Sequence, residues 1–239
     1  MTPHSKSAYN VIVDVIIKQQ GTSAAESFLL EALTKVKDNS NAELTIIKIL
    51  RTFYTTQKQP DKTSPLIEDI VNRHQNNPDI LSFYVDTLLT NQNKEKAEKI
   101  LRQIILQNPK DGKHLLLLAQ LLGSQPGRET EAFKFLARAE DNHKISSLAL
   151  ALKTGLHLKL KQYKKALNVA TGVTKTFPKQ SIGYILKGKT LRAQKKYEKA
   201  HTAYQIAYQM TPTQANLDNL LSILVLQNKH QKLELFLQM

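Results

Sequence analysis

No cysteine occurs in the 239 residues. That absence excludes disulfide staples, thiol nucleophiles and cysteine-ligated metals together, and it leaves the compartment open, because a disulfide-free chain folds in cytosol and periplasm alike. Tryptophan is also missing, aromatics make up 6%, and glycine and proline number eight each, a balance that suits a helical array better than a sandwich or barrel. No apolar run approaches the roughly eighteen residues of a membrane span. The longest candidates, 11–17 and 220–226, contain Asp14 and Ser222. The opening Met1-Thr2-Pro3-His4-Ser5-Lys6 has no apolar leader with a small-residue cleavage site. Localisation therefore stays open between cytoplasm and periplasm, and a targeting segment lost from a longer parent would be invisible.

Acid is scarce in one stretch. Between positions 142 and 212, fourteen Lys or Arg face a single acid, Glu198, so this segment holds thirteen of the net charges of a chain at +14. The remainder is nearly balanced, with twenty basic and nineteen acidic residues. Charge so localised belongs to a particular surface and is not explained by solubility alone.

Within that stretch the same 34-residue phrase occurs twice: Tyr163 recurs as Tyr197, Ala166 as Ala200, and Pro178 as Pro212. A period of this length marks a supersecondary unit that cannot bury its apolar face alone and must stack on its neighbours. In the second copy, 182–194 and 197–210 carry apolar residues at helical spacing around the polar turn Lys195-Lys196, which predicts a helical hairpin. Gly188, Ala200 and Ala207 place small side chains where the helices approach, Tyr184, Leu191 and Tyr204 fill the space beside them, and Pro212 closes the second helix. Counted from Ser181, these residues occupy positions 4, 8, 11, 20, 24, 27 and 32. The pattern resembles the tetratricopeptide repeat (TPR) family. The pentatricopeptide repeat has a similar period but lacks this arrangement of small residues and proline.

The resemblance implies an all-α fold, a right-handed superhelical solenoid of antiparallel helix pairs with about seven repeats, the last incomplete. The expected domain is a single TPR-like solenoid over 1–239, with repeats near 6–39, 40–77, 78–112, 113–146, 147–180, 181–214 and 215–239. Ala97, Ala132, Ala166 and Ala200 stand 35, 34 and 34 residues apart, so the register persists through weaker copies. Repeat two lacks the alanines, and Ser64-Pro65 reads as the cap and first position of its second helix. Repeat four has Lys144 where proline belongs. In repeat seven, Asn228-Lys229-His230 is expected to turn, with a short helix over 231–239; its leucines either fold back or meet another repeat or a second copy.

Few residues suggest chemistry. Gly183-Tyr184-Ile185-Leu186-Lys187-Gly188-Lys189-Thr190 spells GxxxxGK[ST], but it falls inside a predicted helix, where the amides that would cradle phosphate are already bonded. The seven histidines show no ligand spacing, and His157 occupies a packing position. No catalytic set emerges; no enzyme, metal or cofactor is expected.

Two surfaces are candidates for binding. TPR resemblance implies that Leu117, Leu121, Leu148, Ala151, Gly155, Lys159, Ile182, Ile185, Lys189 and Arg192 face a concave groove, a greasy track bordered by positive charge. Lys161, Lys164, Lys165, Lys195, Lys196 and Lys199 lie at hairpin turns and are expected along a basic rim. The carboxylate clamp of chaperone-tail TPR proteins is not supported, since its positions read Ala151/Gly155 and Ile185/Lys189. The function expected is a non-catalytic scaffold that binds a protein or peptide with acidic flanks in the groove. Resemblance to bacterial arrays of this style implies envelope, pilus or exported-polysaccharide assembly. The alternative is a polyanion, nucleic acid or acidic polysaccharide, along the rim; the lack of exposed interleaved aromatics counts against nucleic acid.

Overall fold

The computed structural model describes residues 6–142 and 146–237, with side chains described as far as 227. Among the described residues there are thirteen α-helices, one short 3-10 turn and no strand. They gather into two compact units, Met1–Gln107 and Asn108–Met239.

In the first unit α1 (Lys6–Gln20) pairs with α2 (Thr22–Lys35), α3 (Ser40–Thr56) with α4 (Thr63–Arg73), and α5 (Pro78–Thr90) with α6 (Lys94–Gln107). Each helix packs on the next, and the first helix of a pair also touches the first helix of the following pair, which is how stacked hairpins share one core. Side chains mark the starts: Asn39 accepts from the Ala42 amide, and Asn77 accepts from Asp79 and Ile80 with Pro78 at the first helical position. In the second unit α7 (Gly112–Ser124), α8 (Glu129–Glu140), α9 (Ser146–Lys159), α10 (Tyr163–Thr176), α11 (Ile182–Ala193) and α12 (Tyr197–Met210) form three further pairs, followed by α13 (Gln214–Leu237).

The register alanines Ala97, Ala132, Ala166 and Ala200 are all fully buried at helix contacts. Repeat two proves to have its small residue after all: Thr63 takes the equivalent place, five residues beyond the turn, and is equally buried. Its helix begins at Thr63, directly after the 3-10 turn Pro60–Lys62, so Ser64 does not cap it and Pro65 sits harmlessly in the first turn. The Thr63 hydroxyl has no protein partner, and an unbonded buried hydroxyl costs about 1–3 kcal/mol. Thr63→Ala should therefore raise the melting temperature by a few degrees in a circular-dichroism melt; a fall would mean that the hydroxyl is satisfied.

Every hairpin turn passes through the left-handed region, at Gly21, Lys58 and Gln92 in the first unit and Gly127, Lys161 and Lys195 in the second. At the four non-glycine turns, the amide after the left-handed residue reaches the carbonyl five residues back, from Gln59 to Tyr54, Asn93 to Leu88, Gln162 to His157 and Lys196 to Leu191, at 2.8–2.9 Å. This is the Schellman closure, and it helps offset the roughly 1–2 kcal/mol that a side chain costs in this conformation. The turn expected at Asn228-Lys229-His230 is not formed: α13 runs unbroken to Leu237. No glycine or proline interrupts it, and a lysine leaves the right-handed region only where hairpin packing offsets the strain. Lys144 lies outside the described residues.

Two tyrosine–carboxylate–lysine sets tie the first unit together. The Tyr54 hydroxyl and Lys62 both donate to Glu26 Oε1 at 2.9 Å; Tyr84 and Lys96 donate to Glu68 Oε1 at 3.1 and 2.6 Å. The bond from Lys62 holds the Glu26 carboxyl below its ordinary value of 4.5, and the bond from Lys96 does the same for Glu68. Burial and the bond to Glu26 push Tyr54 up to about 12. A carboxyl with a lowered pKa stabilises the fold fully above its unfolded value and loses that contribution as pH falls through the folded one. Glu26→Gln plus Glu68→Gln should lower the melting temperature at pH 7 by a few degrees, since part-exposed pairs contribute about 0.2–1 kcal/mol each. The gap to the wild-type protein should close on acidification through and below pH 4.5. A gap independent of pH would refute the ionic origin.

Candidate functional site

α9 has leucine, alanine or glycine at Leu148, Leu150, Ala151, Leu152, Gly155, Leu156 and Leu158, more apolar surface than one helix face can hide. Its buried side holds Ala149, Thr154, Leu156 and His157, while Leu148 remains 55% exposed. Ala151 and Gly155 lie four apart and share a helix face, as do Ala119 and Gly123 on α7. Together with Gln120, Ser124, Leu152, Leu156, Lys159 and Leu136 of α8 they line an open groove of about 280 Å³. The two glycines differ. A Cβ on Gly123 would make ordinary contacts with Leu156 Cδ1 at 3.4 Å and Ala132 Cβ at 3.6 Å, so Gly123 lies against packed neighbours; a Cβ on Gly155 would meet nothing within 4 Å.

Of the residues predicted for the groove, Ala151, Gly155 and Lys159 line this cavity. Lys159 Nζ donates to the Gly123 carbonyl at 2.6 Å and retains further donors. Leu117 is half-buried and Leu121 buried on α7. Ile182 packs against the cluster of Ala170, Val173 and Leu186, and Ile185 is half-buried. Lys189 is exposed, and Arg192 reaches the Ser222 hydroxyl at 3.4 Å. Gln120, Gly123 and Ser124 escaped the sequence reading, although Ala119 and Gly123 carry the same four-residue spacing of small side chains as Ala151 and Gly155.

Lys161, Lys164, Lys165, Lys195, Lys196 and Lys199 are all exposed. They cluster at the N-termini of α10 and α12, neither of which has a side-chain cap. Cations at the positive end of a helix dipole gain nothing from the fold itself.

The nucleotide-like motif is helical throughout: Gly183 and Gly188 are buried in α11, and Gly188 lies under the ring of the fully buried Tyr204. Burial pushes the Tyr204 phenol up. His157 stacks on Phe133 at 4.6 Å between ring centres and bonds Gln162 through Nδ1 at 2.9 Å, a packed imidazole. Leu221, Leu224 and Val225 stay exposed along one face of α13.

Residues 54–121 match the tetratricopeptide repeat family. Among curated proteins nothing matches. Among solved structures, a tetratricopeptide repeat protein from Parabacteroides merdae is similar at TM-score 0.56 and 15% identity, covering 91% of this chain and 98% of that one. PilW, a widely conserved type IV pilus biogenesis factor, is similar at TM-score 0.59 and 14% identity over 82% and 89%. YrrB, a TPR protein with an unusual peptide-binding site, is similar at TM-score 0.52 and 12% identity over 79% and 94%. The buried register alanines, the Schellman-closed hairpins and the similar solved structures give this chain the helical-repeat fold of tetratricopeptide repeat proteins, with the family match itself carried by residues 54–121.

Proposed function

We propose that this chain is a non-catalytic scaffold that holds a segment of another protein in the groove between α7 and α9. One observation carries the reading: α9 leaves Gly155 exposed, with open space where a side chain would project, between Ala151 and Lys159 along the groove, while Leu148 further up the same helix is 55% exposed. An apolar strip flanked by cations suits an extended or helical segment with apolar anchors and acidic neighbours. The peptide-binding site of YrrB supports a groove of this kind, and the pilus role of PilW supports service in bacterial envelope assembly.

A photo-crosslinking amino acid at Gln120, which is exposed and lines the groove, tests this against the rim. Crosslinks to a protein from Gln120, and none from Lys164, are expected. The uncapped, lysine-rich starts of α10 and α12 favour a second reading, polyanion binding along the rim. In that case crosslinks form from Lys164 to nucleic acid or polysaccharide, and affinity falls by about 10³–10⁵ between 50 and 200 mM salt. That result would overturn the groove.

A further inference from the structure

A glycine inside a helix costs about 1 kcal/mol relative to alanine. Gly183 and Gly188 repay that cost, because a neighbour stands where their Cβ would be. Gly155 does not: it lies inside α9, exposed, with open space where its side chain would project. Among the described residues nothing comes within 4 Å of that side-chain position. Its surroundings are apolar, with Ala119, Ala151, Leu152 and Leu156 as walls. At about 280 Å³ the groove falls just below the ~300–1,000 Å³ usual for small-molecule sites.

Charge narrows the occupant further. Residues 146–193 contain no Asp or Glu. The carboxylate of Glu140 is already paired with Lys153 at 2.8 Å. Lys159 has the Gly123 carbonyl as its acceptor, and Lys189 is exposed with no carboxylate in ion-pair range among the described residues.

Resting on the groove reading, we infer that Gly155 is the floor of an anchor pocket that takes one bulky apolar side chain, leucine or phenylalanine, of the bound protein segment, and that an acidic residue beside this anchor pairs with Lys159 or Lys189. A side chain at position 155 would occupy the ligand's place while leaving the helix contacts intact.

The test pans a random peptide display library against wild-type protein, Gly155→Leu, Gly172→Ala and Lys159→Glu/Lys189→Glu. Gly172, on α10, also has nothing within 4 Å of an added Cβ and lies outside the groove, so it controls for helix stabilisation. The wild type should enrich peptides with leucine or phenylalanine next to Asp or Glu. Gly155→Leu should keep or raise the melting temperature and weaken those peptides at least tenfold. Gly172→Ala should bind as the wild type does, and the charge-reversed variant should bind weakly. Equal binding by Gly155→Leu, with binding still lost in the charge-reversed variant, overturns the anchor pocket and leaves the groove standing. No enrichment on the wild type overturns both.

Discussion

Gly183→Ala will lower the melting temperature by about 4–8 °C, and Gly188→Ala by a similar amount. The Cβ built on Gly183 lies 2.6 Å from Thr174 Cγ2 and 2.7 Å from the Thr174 backbone nitrogen, so a helix must move to admit it. The Cβ on Gly188 lies 2.5–2.8 Å from three ring carbons of Tyr204, a side chain with no exposed surface into which it could swing. Overpacking of this kind costs about 3 kcal/mol, which outweighs the gain of about 1 kcal/mol from replacing a helical glycine. In a chain of this size the net loss of about 2 kcal/mol corresponds to a shift of about 4–8 °C. Thermal melts of the two variants beside Gly172→Ala check the sign, since Gly172→Ala gains the helix propensity without a clash and should melt slightly higher. Tyr204→Leu should partly rescue Gly188→Ala and should do nothing for Gly183→Ala. A stable Gly188→Ala protein would refute the close approach of α11 and α12.

Glu43→Ala is expected to cost about 3 kcal/mol in the first unit. Glu43 is fully buried in the first turn of α3, with Arg73 Nη1 2.5 Å from one carboxylate oxygen and His74 Nε2 2.6 Å from the other. Both partners stand at the end of α4, so a single carboxylate ties the two helices of the second hairpin together. Removing the buried carboxylate leaves Arg73 and His74, 22% and 17% exposed, without the partner they share, and breaking a buried ionic set costs about 3–5 kcal/mol. The lower end applies because Arg73 keeps Asp69 at 3.1 Å. Denaturant titration followed by circular dichroism measures the loss, and Glu43→Gln should fall between wild type and alanine by keeping the shape without the charge. An alanine variant as stable as the parent would show that the cluster contributes nothing net, as buried pairs sometimes do.

Much of this architecture was legible in the residues because a repeat states its packing rule several times over. Alanines spaced 34 or 35 residues apart must meet the same environment in each copy, and they do. The rule became unreadable where chemistry varied under constant geometry. Thr63 replaces the small residue of repeat two, yet a threonine in a polar stretch carries no mark of burial. Lys58, Gln92, Lys161 and Lys195 take the left-handed turn that Gly21 and Gly127 advertise openly. The candidate site was half visible. Ala151, Gly155 and Lys159 follow from the phase of α9, but the groove also needs Ala119, Gln120 and Gly123 from a helix one repeat earlier, and only stacking brings those surfaces together.

The sequence by itself determined the period, the helical class, the hairpin packing positions and the confinement of positive charge to residues 142–212, because each follows from local spacing and composition. The tertiary structure decided which apolar residues are spent on packing and which remain open. Leu121 and Leu148 look alike in a string of letters, yet one is 6% exposed and the other 55%. The difference arises from what the neighbouring helices cover, a long-range property that periodicity does not encode.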